Sequence, residues 1–128
     1  MIESSQTNKL QPNFQIGNLA TDLVDLTLEY CTRYEDQNPR FPKRMYESYV
    51  TQIVNLSLQI HKNICEANSI KTAKQKRHLL QEISCGDCTS LEKLIFIALK
   101  RGWISKKQHI RWQSLICDLH FKITKWLK

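Results

Sequence analysis

The side chains best suited to chemistry are the run Cys85-Gly86-Asp87-Cys88 and the histidines His61, His78, His109 and His120. A structural zinc site needs a second ligand pair at compatible spacing, and Cys31, Cys65 and Cys117 each stand alone in the chain. A spacing of three within a helix puts both thiols of the run on one face, within reach of His61 or His109 from a neighbouring helix. A thioredoxin-like role would want the motif at a helix N-terminus after a strand, where a thiolate is stabilised; here the surrounding pattern is mid-helical. Five scattered cysteines fit small buried hydrophobes better than ligands. The histidines lack the H-E-x-x-H spacing of a zinc protease, and no repeated Glu-x-x-His pair suggests a di-iron bundle. Glu66, Glu82, Glu92 and Asp118 suit salt bridges between helices more than acid–base catalysis. Nothing assembles a nucleophile, a base and an oxyanion site. The expectation is a non-enzymatic protein with no catalytic residues, no metal and no cofactor.

Basic residues give the clearer signal. Lys71, Lys74, Lys76 and Arg77 crowd one segment; Lys100, Arg101, Lys106, Lys107 and Arg111 crowd a second; Lys122, Lys125 and Lys128 close the chain. Of 128 residues, 19 are Lys or Arg and 12 are Asp or Glu, for a formal net charge of +7. The imbalance is uneven: residues 1–40 carry −3 and residues 41–128 carry +10. Such asymmetry suggests a polyanion-binding surface built by the later part of the chain. Backbone contacts of this kind bind with little sequence specificity and strong salt dependence. An exposed aromatic such as Trp103 could stack unpaired bases beside the lysines, or else be buried at a subunit contact.

Few punctuating residues separate the elements that position these groups. Three glycines and three prolines are too few turns for a β-sandwich or barrel. No glycine-rich phosphate loop is present. Residues 1–17 read as a flexible arm, with Phe14 and Ile16 able to dock, and residues 18–128 as the folded domain. Leu19, Leu23, Leu26 and Tyr30 form an apolar stripe on a first helix that should run to about Glu35. Pro42 suits the first position of a second helix buried through Val50, Ile53, Ser57, Ile60, Ile64 and Ala67. Thr72-Ala73-Lys74-Gln75 has capping-box spacing ahead of a third helix with Leu80, Ile83, Asp87, Leu91, Leu94 and Ala98 inward, ending at Gly102. Ser105-Lys106-Lys107-Gln108 is a second capping box, opening a fourth helix with Trp112, Leu115, Ile116, Leu119, Ile123 and Trp126 inward.

The expected fold is therefore all-α, an antiparallel up-down-up-down four-helix bundle. Leu56, Leu58, Leu79, Ile95, Phe96, Trp103 and Phe121 fall outside these stripes, and surplus apolar surface of that kind suggests self-association. No stretch is apolar enough to span a bilayer, and Met1–Gln6 has no signal-peptide character, so the expected location is cytoplasmic.

The order of Phe41-Pro42-Lys43, Gln52-Ile53, Asn63-Ile64-Cys65-Glu66-Ala67-Asn68, Arg77 with Leu80, Ile83 and Gly86, Leu91-Glu92 through Ala98, and Gly102-Trp103-Ile104-Ser105 resembles a family of small bacterial four-helix-bundle proteins. That family includes proteins encoded in intervening sequences of 23S ribosomal RNA genes. It also includes Avd, the accessory variability determinant of diversity-generating retroelements. Glu66-Ala67-Asn68 before a Lys/Arg-rich turn, and the ending Ile123-Thr124-Lys125-Trp126-Leu127-Lys128, resemble the Avd branch. Thr124-Lys125 replaces the two glycines usual there, and Ile83-Ser84-Cys85-Gly86 looks more like the ribosomal branch. The resemblance implies a cyclic homopentamer with a basic outer surface that binds the retroelement's reverse transcriptase and its template-repeat RNA, supporting mutagenic cDNA synthesis. Five subunits at +7 each would carry about +35, which favours phosphate binding through counterion release. The alternatives are a ribosomal intervening-sequence type of bundle, or a structural oligomer with no nucleic-acid role.

Overall fold

A computed structural model describes residues 14–127; residues 1–13, in the expected arm, and Lys128 lie outside the described residues. Four α-helices make up the fold, α1 (Gln15–Cys31), α2 (Thr51–Ser69), α3 (Lys74–Lys100) and α4 (Lys106–Leu127), and no strand occurs among the described residues. α1 packs on α2 and α4, and α3 packs on α2 and α4, around one apolar core. Cross-helix contacts join Tyr49 to Leu94, Gln59 to Asp87 and Glu66 to Lys76 between the second and third segments, and Glu92 to Cys117 and Cys85 to Thr124 between α3 and α4. No helix among the described residues is long and apolar enough to cross a membrane.

α1 begins three residues before the expected domain boundary. Phe14, at its N-cap, sets its ring edge-on to Trp126 at 5.9 Å and fills the space a Cβ on Gly17 would take. The helix ends at Cys31 rather than near Glu35. Side chains compete for the backbone there: Thr32 Oγ1 donates to Leu28 O at 2.6 Å, the Tyr34 N–H donates to Gln37 Oε1 at 2.8 Å, and Arg40 donates to Glu35 O at 2.6 Å.

Pro42 lies before the helix, not in its first position. Its extended backbone leads into a 3₁₀ turn (Lys43–Met45) and one π-helical turn (Tyr46–Val50) ahead of α2. The buried face expected for this helix is correct, from Val50 through Ala67, with Asn63 added.

The third helix is rotated from its expected phase. Its buried stripe is Gln81, Ser84, Cys88, Leu91, Ile95 and Ala98, so Ile95 is core rather than surplus, while Ile83 is exposed and Leu80, Asp87 and Leu94 are half-buried. α4 buries Trp112, Ile116, Leu119 and Ile123 as expected, with Leu115 and Trp126 half-buried.

The two capping boxes part company. At Ser105 the box forms: Gln108 N–H donates to Ser105 Oγ at 3.1 Å, and Ser105 N–H donates to Gln108 Oε1 at 2.8 Å. Before α3 the cap residue is Ala73, one position beyond Thr72, and no side chain caps the helix. The end of α3 closes in a Schellman motif, with Trp103 N–H on Ala98 O at 2.9 Å and Gly102 N–H on Leu99 O at 3.0 Å. Gly102 adopts φ +76°, the left-handed region that disfavours a Cβ.

Ser105→Ala should lower unfolding free energy in urea by about 1 kcal/mol, as loss of an N-cap does. Thr72→Ala should change it by less than about 0.5 kcal/mol. Equal losses in both variants would contradict this assignment of the caps.

Candidate nucleic-acid interface

The basic residues collect at two ends of the helices. At one end, Lys71 lies in the α2–α3 turn, and Lys74, Lys76 and Arg77 occupy the first turn of α3. The final turns of α4 reach the same end, because Lys122, Lys125 and Trp126 share a cavity with Asn68 of α2 and Phe14. At the other end, Lys100 and Arg101 finish α3 while Lys106 and Lys107 open α4. Lys128 lies outside the described residues.

Their electrostatic surroundings differ. Lys76 reaches Glu66 at 3.5 Å, and Lys122 pairs with Asp118 at 3.0 Å. Arg111 lines a cleft of about 310 Å³ with Asp22, Asp25 and Glu29 of α1, so its charge is offset locally and it stands apart from the other cations of its cluster. Lys71, Lys74, Lys100, Arg101, Lys106 and Lys107 are exposed and form no ion pair among the described residues. Lys100 Nζ sits over the Phe96 ring at 5.8 Å and Lys125 Nζ over Phe121 at 5.1 Å, contacts that hold the cations while leaving their charge unneutralised.

Trp103, considered as a base-stacking platform or subunit contact, is half-buried within its own chain. Its ring meets Phe41 at 5.7 Å and Tyr49 at 5.3 Å, and the Tyr49 hydroxyl donates to Leu94 O at 2.6 Å. This aromatic cluster brings the 40–44 segment to the α3–α4 turn. Lys43 is paired there with Glu35 at 2.6 Å, raising the lysine and lowering the carboxyl from their ordinary pKa values. Arg44, exposed and without an ion pair among the described residues, joins this end. Its position was not visible from spacing, since the contact that places it is between Phe41 and Trp103. Of the apolar residues expected outside the core, Leu58, Leu79, Phe96 and Phe121 are exposed, as are Leu28, Ile83, Ile97 and Ile110. Leu56 and Trp103 are half-buried.

The thiols sit in surroundings opposite to those that activate cysteine. Burial pushes Cys31 and Cys88 up to about 12, and a hydrogen bond to Glu92 Oε1 at 3.0 Å, with burial adding, pushes Cys117 up to about 11. Cys85 and Cys65 are also raised by burial. Among the described residues no group of three or more His, Cys, Asp or Glu could hold a metal ion. No family model, no curated protein and no solved structure matches this chain.

Native protein treated with iodoacetamide near pH 8 should be alkylated first at exposed Cys65, more slowly at exposed Cys117, whose thiol is held by Glu92, with buried Cys31 and Cys88 protected until unfolding. Fast labelling of Cys88 would contradict its burial. Asp87 offers a pH test. Burial raises its carboxyl, against a hydrogen bond from Gln59, and Oδ2 is buried without a partner. A raised acid favours the folded state only where it is protonated, and that benefit is lost as pH rises through the folded value. Asp87→Asn should therefore melt at a higher temperature than the parent at pH 7, the gap closing below about pH 4. A lower melting temperature at pH 7 would show that the carboxylate is stabilising.

Proposed function

We propose that the chain is a non-enzymatic RNA-binding scaffold, an accessory protein of the Avd type that binds the reverse transcriptase and template-repeat RNA of a diversity-generating retroelement. In this reading the four helices form an antiparallel up-down-up-down bundle, which the cross-helix contacts from Tyr49–Leu94 to Cys85–Thr124 support. The bundles assemble as a cyclic homopentamer through exposed apolar residues such as Leu79, Phe96, Ile110 and Phe121.

One observation carries the reading: a set of exposed cations at the two ends of the helices, among them Lys71, Lys74, Lys100, Arg101, Lys106 and Lys107, has no carboxylate partner among the described residues. Surface lysines usually lie among acids; cations left unmatched at both ends suit an extended phosphate backbone and not a small anion. Each phosphate they neutralise releases a condensed counterion, a gain that falls as salt rises.

Fluorescence anisotropy with a structured RNA at increasing salt tests this. Changing Lys100, Arg101, Lys106 and Lys107 together to Ala should weaken binding by on the order of tenfold or more at about 50 mM salt and flatten the salt dependence, with helix content unchanged. Unchanged affinity would move the interface to Lys71 and Lys74 at the other end. Absence of binding by the parent even at low salt would favour a structural oligomer whose charge has no nucleic-acid role.

A further inference from the structure

We propose that the open cavity between the start of α1 and the end of α4 receives one unpaired nucleotide of a single-stranded RNA, its base against Trp126 and its phosphate beside Lys125 and Lys122. The inference rests on the RNA-binding reading and adds a site to it.

The cavity measures about 540 Å³, within the range of roughly 300–1,000 Å³ typical of small-ligand clefts. Its walls combine three kinds of group. Trp126 and Phe14 supply aromatic surface, held in an edge-to-face pair at 5.9 Å, so the indole is fixed before any ligand arrives. Lys122 and Lys125 supply cations. Asn68 and Gln15 supply side-chain amides, each with a donor and an acceptor, the pattern needed to meet the edge of a base. The two grooves of similar size along α2 and α3 have amides and a lysine but no aromatic ring, and the α1–α4 cleft beside Arg111 is lined by three carboxylates. The combination of ring, cation and amide belongs to this cavity alone among the clefts described above.

The two lysines are not equivalent. Lys122 is 3.0 Å from Asp118 and shares its charge with that carboxylate. Lys125 has no carboxylate partner among the described residues and rests over Phe121, so it offers the fuller charge to a phosphate. Beyond Asn68, Lys71 and Lys74 continue the positive surface, along which the neighbouring phosphates of a strand could run. A duplex cannot use the site, because its bases are stacked inside and present no free face to an indole.

The test uses the full chain with two fluorescent probes of equal length and charge, a single-stranded oligoadenylate of about ten nucleotides and its abasic ribose-phosphate counterpart. Stacking on one aromatic side chain should make Trp126→Ala bind the oligoadenylate about tenfold more weakly while its affinity for the abasic strand stays within about twofold of the parent. Trp126→Phe should recover most of the loss, and Lys125→Gln should weaken both probes alike. In the parent, 2-aminopurine placed in the oligoadenylate should lose fluorescence on binding, a readout that needs no variant to fold. The pocket is overturned if Trp126→Ala affects neither probe or both equally, or if 2-aminopurine is unquenched while the strand binds. Failure of the parent to bind either probe would instead overturn the RNA-binding reading itself.

Discussion

The closure of α1 onto α4 turns on a hydrogen bond inside the core. The Trp112 indole N–H donates to Thr27 Oγ1 at 3.1 Å, both side chains are fully buried, and Tyr30 sits edge-on to the indole at 5.5 Å. A buried indole N–H without an acceptor costs about 1–3 kcal/mol, so one relative placement of the two helices is favoured over any that slides or rotates them. Leu23, Leu26, Ile116 and Leu119 then fill the remaining space as fully or nearly fully buried neighbours. The same placement determines where Phe14, before α1, meets Trp126, near the end of α4. A polar contact in the centre thus sets the geometry of a surface cavity at one end.

Charge is distributed by what the core leaves over. Helices that bury residues every third or fourth position have only their outer faces and ends for lysine. On α1, Asp22, Asp25 and Glu29 line a cleft with Arg111, so that part of the surface balances itself. The ends of α3 and α4 have no comparable supply of carboxylates. Their cations repel one another, and a polyanion relieves that repulsion as well as supplying attraction.

Much of the architecture was legible because α2 and α4 have unambiguous stripes. α3 misled for a physical reason: hydrophobic periodicity selects the most apolar stripe, and Leu80, Ile83 and Leu94 outscore Gln81, Ser84 and Cys88. The core instead takes Ser84, whose Oγ donates to Leu80 O at 2.9 Å, the small Cys88, and the long Gln81, whose Nε2 is buried without a partner. Spacing identified both capping boxes, yet only Ser105 stands at the residue where its helix starts. Thr72 is one position early, and a cap acts only from the cap position. The basic clusters were readable as composition. Which of their members lie beside carboxylates was not, since Arg111 shares a cleft with acids that lie more than eighty residues earlier in the chain. The cavity at Trp126 was unreadable for the same reason, being assembled from the ends of three helices.

The single π-helical turn at Tyr46–Val50 has an effect on how the chain tolerates length changes. Such a turn holds one residue more than an α-helical turn over the same rise, and here Thr51 Oγ1 bonds back five residues to Tyr46 O at 2.8 Å. A one-residue deletion inside it can be absorbed by tightening the turn, leaving every position from Ile53 onward in phase. The same deletion near Gln59 would swing Ile60, Ile64 and Ala67 on one side of it by about 100° relative to Ile53 on the other, and the inward face would be split. Insertions and deletions along this segment are therefore unequal in effect, and the slack lies before the helix rather than within it.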